Sequence, residues 1–186
     1  MKESTSILES LGYKFDRKEG VLERVEKDIK LELPEKIDGQ YIRRLGDSLF
    51  CEMDFEEVIL PSTINEIGSK TFAYNQITSV ELPISLKVIH REAFRWNELE
   101  EIRIPYGVLY IGANAFSNNK SLIRVSIPDT VLEIGSDVFD DTGVDLVIVC
   151  PKGSKAEEYA LANGHTIEYS ASMPELRSSN IFGKKE

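Results

Sequence analysis

One short phrase recurs four times through the middle of this chain: Pro-x-x-(Ile/Leu/Val)-x-x-Ile-Gly-x-x-(Ala/Thr/Val)-Phe-x-x-Asn, followed by an apolar run that leads to the next proline. The copies occupy residues 61–80, 83–102, 105–125 and 128–146. Pro61, Pro83 and Pro105 stand 22 residues apart, and Pro128 follows after 23, because Lys120 and Ser121 both lie between Asn119 and Leu122. His90 replaces the repeat glycine once, and Thr142 replaces the repeat asparagine once. A fixed period in the twenties specifies a solenoid, in which each unit buries its apolar face only against its neighbours. Such a coil offers an extended surface rather than an enclosed pocket.

Within a unit the chain reads as two halves. An alternating strand such as Glu101-Ile102-Arg103-Ile104 ends at a proline, which removes a ladder donor. The return half, with Val108, Ile111, Ala115 and Phe116, is too short for a regular α-helix and predicts a short strand followed by a 3₁₀ or single helical turn. The predicted fold is therefore a right-handed curved coil with a parallel β-sheet on its concave side. Phe72, Phe94, Phe116 and Phe139 predict a stacked core spine, one ring per coil. Asn75, Asn97 and Asn119 predict a ladder of buried amides that satisfies backbone groups left over by the turns.

Outside the four copies the organisation changes. Residues 1–33 do not obey the repeat and are expected to form an N-terminal cap. It would hold a short helix opened by the capping box Ser6-Ile7-Leu8-Glu9 and two strands joined across residues 17–20. The array spans 34–146 as about five units, the first degenerate because Asp38-Gly39 inserts a hairpin turn. Residues 147–169 predict a C-terminal cap, with a helix that starts at Ser154-Lys155-Ala156-Glu157 and stops at Asn163-Gly164. The polar residues 170–186 are expected to form a mobile tail.

Composition narrows the function classes. The net charge of −10 argues against a nucleic-acid partner, which requires clustered Lys and Arg. Cys51 and Cys150 are too few for a disulfide framework and lie about four coils apart, so both are expected to be free, with Cys51 facing outward. Two histidines, His90 and His165, supply no zinc site, and no nucleophile elbow, Walker loop or dinucleotide fingerprint occurs. No enzyme, cofactor or metal is expected. No apolar stretch reaches the ~18 residues of a membrane span, and residues 1–13 do not read as a signal peptide. The expected location is cytoplasmic, or cell-surface or secreted if a leader has been removed.

Two candidate surfaces emerge. On the concave side the outward strand positions stack as Glu57, Ser79, Glu101, Arg124 and as Ile59, Glu81, Arg103, Ser126. Glu81 beside Arg103 and Glu101 beside Arg124 read either as plain cross-strand charge pairs or as a binding face. On the return side Tyr74 and Trp96 share a repeat position, as do Ile84 and Tyr106, and large exposed aromatics suit a protein interface. The candidate partner-binding residues are Tyr74, Trp96, Tyr106, Glu81, Glu101, Arg103 and Arg124.

The run Leu-x-x-Ile-x-Ile-Pro-x-x-Val-x-x-Ile-Gly-x-x-Ala-Phe, residues 99–116, resembles the BspA-type (Treponema pallidum-type) leucine-rich repeat family, and the resemblance covers residues 31–146. The closing Pro151-Lys152-Gly153-Ser154 before an Ala/Glu/Tyr-rich helix is also similar to that family. The resemblance implies a non-enzymatic protein-interaction scaffold of bacterial type, with no shared catalytic residues to carry over. Two alternatives stand beside it: an intracellular inhibitor or immunity protein acting through an acidic surface, and a fragment of a surface adhesin.

Overall fold

The computed structural model describes residues 13–16, 21–24 and 30–171. The expected helix near residues 6–11 and the tail beyond Ala171 lie outside the described residues. Strands β1 (Tyr13–Asp16) and β2 (Val21–Arg24) pair antiparallel, as the hairpin reading of this segment requires.

From Lys30 onward the chain coils. The strand before each proline contributes to one face: β3 (Lys30–Glu32), β7 (Glu57–Ile59), β9 (Ser79–Val80), β11 (Glu101–Arg103) and β13 (Arg124–Ser126). The return strands β6 (Arg44–Leu45), β8 (Glu66–Ile67), β10 (Val88–Ile89), β12 (Tyr110–Ile111) and β14 (Glu133–Ile134) form a second, uninterrupted parallel sheet in chain order. Both sets alternate as the pattern demands, with Ile102 and Val125 buried between exposed or half-buried neighbours. The insert in the first coil is a tight antiparallel hairpin, β4 (Lys36–Ile37) with β5 (Gln40–Tyr41). Asp38 and Gly39 at its tip have φ of 50° and 76°, which an Asp-Gly pair adopts readily.

Rings and amides hold the coils in register. Phe50, Phe72, Phe94, Phe116 and Phe139 stack with centroids 5.3–5.8 Å apart and planes within 19° of parallel. Beside this spine, Asn97 Oδ1 accepts from Ile77 N while its Nδ2 donates to Phe72 O and Phe94 O. Asn75 and Asn119 repeat the arrangement one coil earlier and one later. Each amide thus ties two successive coils together. The repeat glycine exists because backbones approach closely: a Cβ on Gly112 or Gly135 would stand 2.4 Å from a backbone nitrogen of the preceding coil. His90, which occupies that position in the third coil, donates from Nε2 to Glu66 Oε1 at 2.7 Å.

The turn after the return strand bonds through i→i+3 contacts, Ala115 N to Gly112 O and Ser117 N to Asn114 O. Residues two before and two after each spine phenylalanine are left-handed, among them Asn114 and Asn118 at φ 58° and 60°. Those reversals stop any helical run from continuing.

The C-terminal segment extends the strand face. Strand β15 (Val147–Pro151) pairs parallel with β13, helix α1 (Lys155–Asn163) crosses over, and β16 (Thr166–Ser170) pairs parallel with β15. Ser154 accepts from Glu157 N at the helix start, and Gly164 at φ 71° closes its end. Tyr159 and His165 pack their rings against Phe139, and the Tyr159 hydroxyl accepts from Phe139 N, so the spine does not end in solvent. Cys150 is buried, and Cys51 is half-buried rather than outward-facing, since its position lies between coils where Ala73 and Ser117 are also buried. Burial pushes both thiols above their ordinary pKa.

Candidate functional site

The strand face is not one continuous sheet. Its strands form two ladders, β3-β7-β9 and β11-β13-β15-β16, and the ladder lapses between β9 and β11 although the coils remain neighbours. A hollow of about 1120 Å³ lies across β7, β9, β11 and β13 at this lapse. Glu81, Glu101, Arg103, Arg124 and Tyr106 all line it, so five of the seven candidates converge on one surface. Its wall on the proline side is apolar, because Ile84 (83% exposed) and Tyr106 (46%) follow the strand prolines there. Tyr106 therefore belongs with the strand rows and not with Tyr74 and Trp96.

Charges on this face pair differently from the nearest-neighbour expectation. Arg124 opposes Glu101 across the β11–β13 register but bonds Glu168 Oε1 at 2.7 Å, reaching past β15 to β16. That hydrogen bond lowers the Glu168 carboxyl and raises the Arg124 guanidinium, and Glu101 acts on Arg124 only through space. At the other end Lys30 pairs with Glu57 at 3.0 Å. Arg103 makes no such pair with Glu81 among the described residues. The hollow thus holds an engaged arginine, an unengaged arginine and the carboxylates of Glu81 and Glu101.

Tyr74 and Trp96 form a separate ridge. Their rings stack at 6.3 Å with planes 12° apart, and both are exposed, at 40% and 42%. The position they share is left-handed in five successive coils: Glu52, Tyr74, Trp96, Asn118 and Asp141 have φ between 51° and 60°. Asn and Asp tolerate that region, whereas a bulky aromatic there is strained by about 1 kcal/mol or more. Asn118 is not idle either, accepting from Arg95 Nε at 3.1 Å and donating to Asp141 Oδ2 at 2.8 Å. The sequence reading paired the two aromatics correctly by repeat position; the backbone strain beneath them had no signal in the pattern.

A buried acid went unnoticed in the sequence. Glu92 is 1% exposed and meets Arg91 at 2.7 Å, Arg95 at 3.3 Å and Lys70 at 3.5 Å. Burial opposes its ionisation, but Lys70 together with hydrogen bonds from Arg95 and Arg91 outweighs it, and the carboxyl sits below its ordinary pKa. Three cations at one, three and 22 residues' separation from one glutamate were a legible clue. Among the described residues no cluster of His, Cys, Asp and Glu is placed to hold a metal ion, and no helix is long and apolar enough to cross a membrane.

A coil of six turns with two parallel faces, a phenylalanine spine and an asparagine ladder defines a leucine-rich-repeat solenoid. The model of the BspA type leucine rich repeat region matches residues 42–168 in six copies, and the chain belongs to that family. Solved structures agree on the fold. A leucine-rich repeat protein from Bacteroides ovatus superposes with a TM-score of 0.52 at 22% identity, covering 74% of this chain and 47% of that one. A leucine rich cell surface protein from Faecalibacterium prausnitzii gives 0.58 at 19%, covering 89% and 39%. The pneumococcal vaccine antigen PcpA gives 0.57 at 17%, covering 82% and 46%. The chain spans less than half the length of each of these structures. Comparison with curated proteins returns no match.

Proposed function

We propose that this chain is a non-enzymatic protein-binding module whose docking surface is the hollow across β7, β9, β11 and β13. The observation that carries the reading is the lapse of the ladder between β9 and β11, which opens a recess where apolar wall and unpaired charge meet. Ile84 and Tyr106 supply buriable area, and Arg103 with Glu81 and Glu101 supplies orientation. The open shape suits a protein segment better than a small substrate, because no acid, base and nucleophile converge there. A second reading, part of a surface adhesin, is favoured by the likeness to the F. prausnitzii protein, which is named as a cell surface protein.

The test is a matched capture from the native host using wild type, Tyr106→Ala and Arg103→Glu. All three should melt alike, since both side chains are exposed. A protein recovered by wild type and lost by both variants supports the surface. Identical recovery by all three removes it.

A further inference from the structure

The left-handed row that carries Tyr74 and Trp96 is independent of the hollow, whose lining includes neither. Within the row, Glu52 stands one coil before Tyr74 and in the same register, since Glu52 N bonds Ala73 O just as Tyr74 N bonds Arg95 O and Trp96 N bonds Ser117 O. Trp96 stacks on the Tyr74 ring from the following coil, and Glu52 occupies the same position in the preceding coil. The basic groups around this row are already engaged. Lys70, Arg91 and Arg95 converge on Glu92, Arg95 also bonds Asn118, and Lys120 pairs with Asp141. Glu52 is exposed and has no ion-pair partner among the described residues. Among the described residues, cations stand over the ring of Tyr41, with Lys36 at 4.2 Å and Arg43 at 5.9 Å, and none stands over Tyr74 or Trp96.

We infer that Glu52, Tyr74 and Trp96 form a cation–π subsite for an arginine or lysine side chain of a partner protein. The ring quadrupole of Tyr74, backed by the stacked indole, attracts a cation over its open face, and the Glu52 carboxylate one coil away neutralises it there. Two features set this ridge apart from a chance pair of exposed aromatics. The backbone holds both bulky rings in the left-handed conformation that the adjoining coils give to Glu52, Asn118 and Asp141, and strained residues concentrate at ligand contacts. The row also offers negative charge with no basic residue in it, which selects a basic ligand over an acidic or neutral one.

Trp96 is the single tryptophan of the chain, so its emission and its indole N–H resonance read this site directly. The probe is hexa-arginine, titrated at low salt into the intact chain, with the neutral sugar cellohexaose in parallel. Hexa-arginine is expected to shift both Trp96 signals. Tyr74→Asn, which suits the left-handed backbone and keeps the reporter, should weaken that response about fivefold. Glu52→Gln should weaken it about threefold, while Glu158→Gln, an equal change of net charge on the exposed face of α1, should leave it unchanged. Tyr106→Ala should also leave it unchanged, which separates this site from the hollow. Equal weakening by Glu52→Gln and Glu158→Gln, with Tyr74→Asn silent, would show attraction to net charge alone and overturn the subsite. A Trp96 shift with cellohexaose that ignores Glu52→Gln would overturn it in favour of a saccharide platform.

Discussion

Single residues in this coil act mostly by satisfying backbone that the turns leave over. Asn97 bonds buried backbone of two coils, so truncation strands Ile77 N and removes one of the two amide donors on each of Phe72 O and Phe94 O, which keep Asn75 and Asn119 respectively. Asn97→Ala should cost about 2 kcal/mol, within the range for a stranded buried donor, as read by urea denaturation. Asn118→Ala should cost about 1 kcal/mol. It loses bonds to Arg95 and Asp141 at a half-buried site and places alanine at positive φ. Should Asn118 prove the costlier position, the amide ladder is assigned to the wrong register. Glu92 makes a pH-dependent contribution. The fold favours its carboxylate, so the stabilisation is complete above the ordinary value near 4.5 and drains as pH falls toward the lowered one. Glu92→Gln should therefore destabilise by about 1–3 kcal/mol at pH 7 and by less at pH 3, with denaturation midpoints at both pH values as the check.

At the scale of elements, periodicity decided what could be read in advance. The spine, the asparagine ladder, the Asp38-Gly39 hairpin and helix α1 are legible because each is specified locally or by repetition: a ring every coil, an amide three residues on, a turn dipeptide, a capping box. The lapse between β9 and β11 is not, since all the flanking strands share one pattern and the loss of a few ladder bonds leaves no residue signature. The Arg124–Glu168 bond escaped because β16 lies beyond the four copies of the recurring phrase, so that phrase gave no register placing it on the same face. Repeat position alone separates the strand-face candidates from Tyr74 and Trp96, and only Tyr106, placed by that reading on the return side, turns out to line the strand-face hollow. The cap element carries its own titration. Burial lowers His165, whose neutral ring stacks on Tyr159 at 5.9 Å and meets Phe139 edge-on. Its contribution is complete above pH 6.5 and is lost as pH falls toward the lowered value. Urea midpoints should drop between pH 7.5 and 5.5, and His165→Phe, which keeps the aromatic packing, should flatten that slope.

Across the whole molecule, stability is a sum of coil-to-coil contacts, so the effect of a core deletion depends on whether both of its neighbours are present. Phe94 is flanked by Phe72 at 5.3 Å and Phe116 at 5.5 Å and is fully buried. Phe94→Ala should cost about 3–5 kcal/mol. An uncapped solenoid would relax at its last ring, and the repeat pattern alone predicts a smaller cost at Phe139. The cap removes that relief, because Phe139 is 2% exposed between Phe116, Tyr159 and His165, and its amide is tied to the Tyr159 hydroxyl. Phe139→Ala should thus fall in the same ~3–5 kcal/mol range. Phe50, 7% exposed and stacked on one side by Phe72 with Phe55 edge-on, should cost less. Guanidinium denaturation of the three alanine variants orders them. If Phe139→Ala is as mild as Phe50→Ala, the helix and β16 ride on the array without closing it. If it matches Phe94→Ala, the cap couples the last coil into the same cooperative unit as the centre.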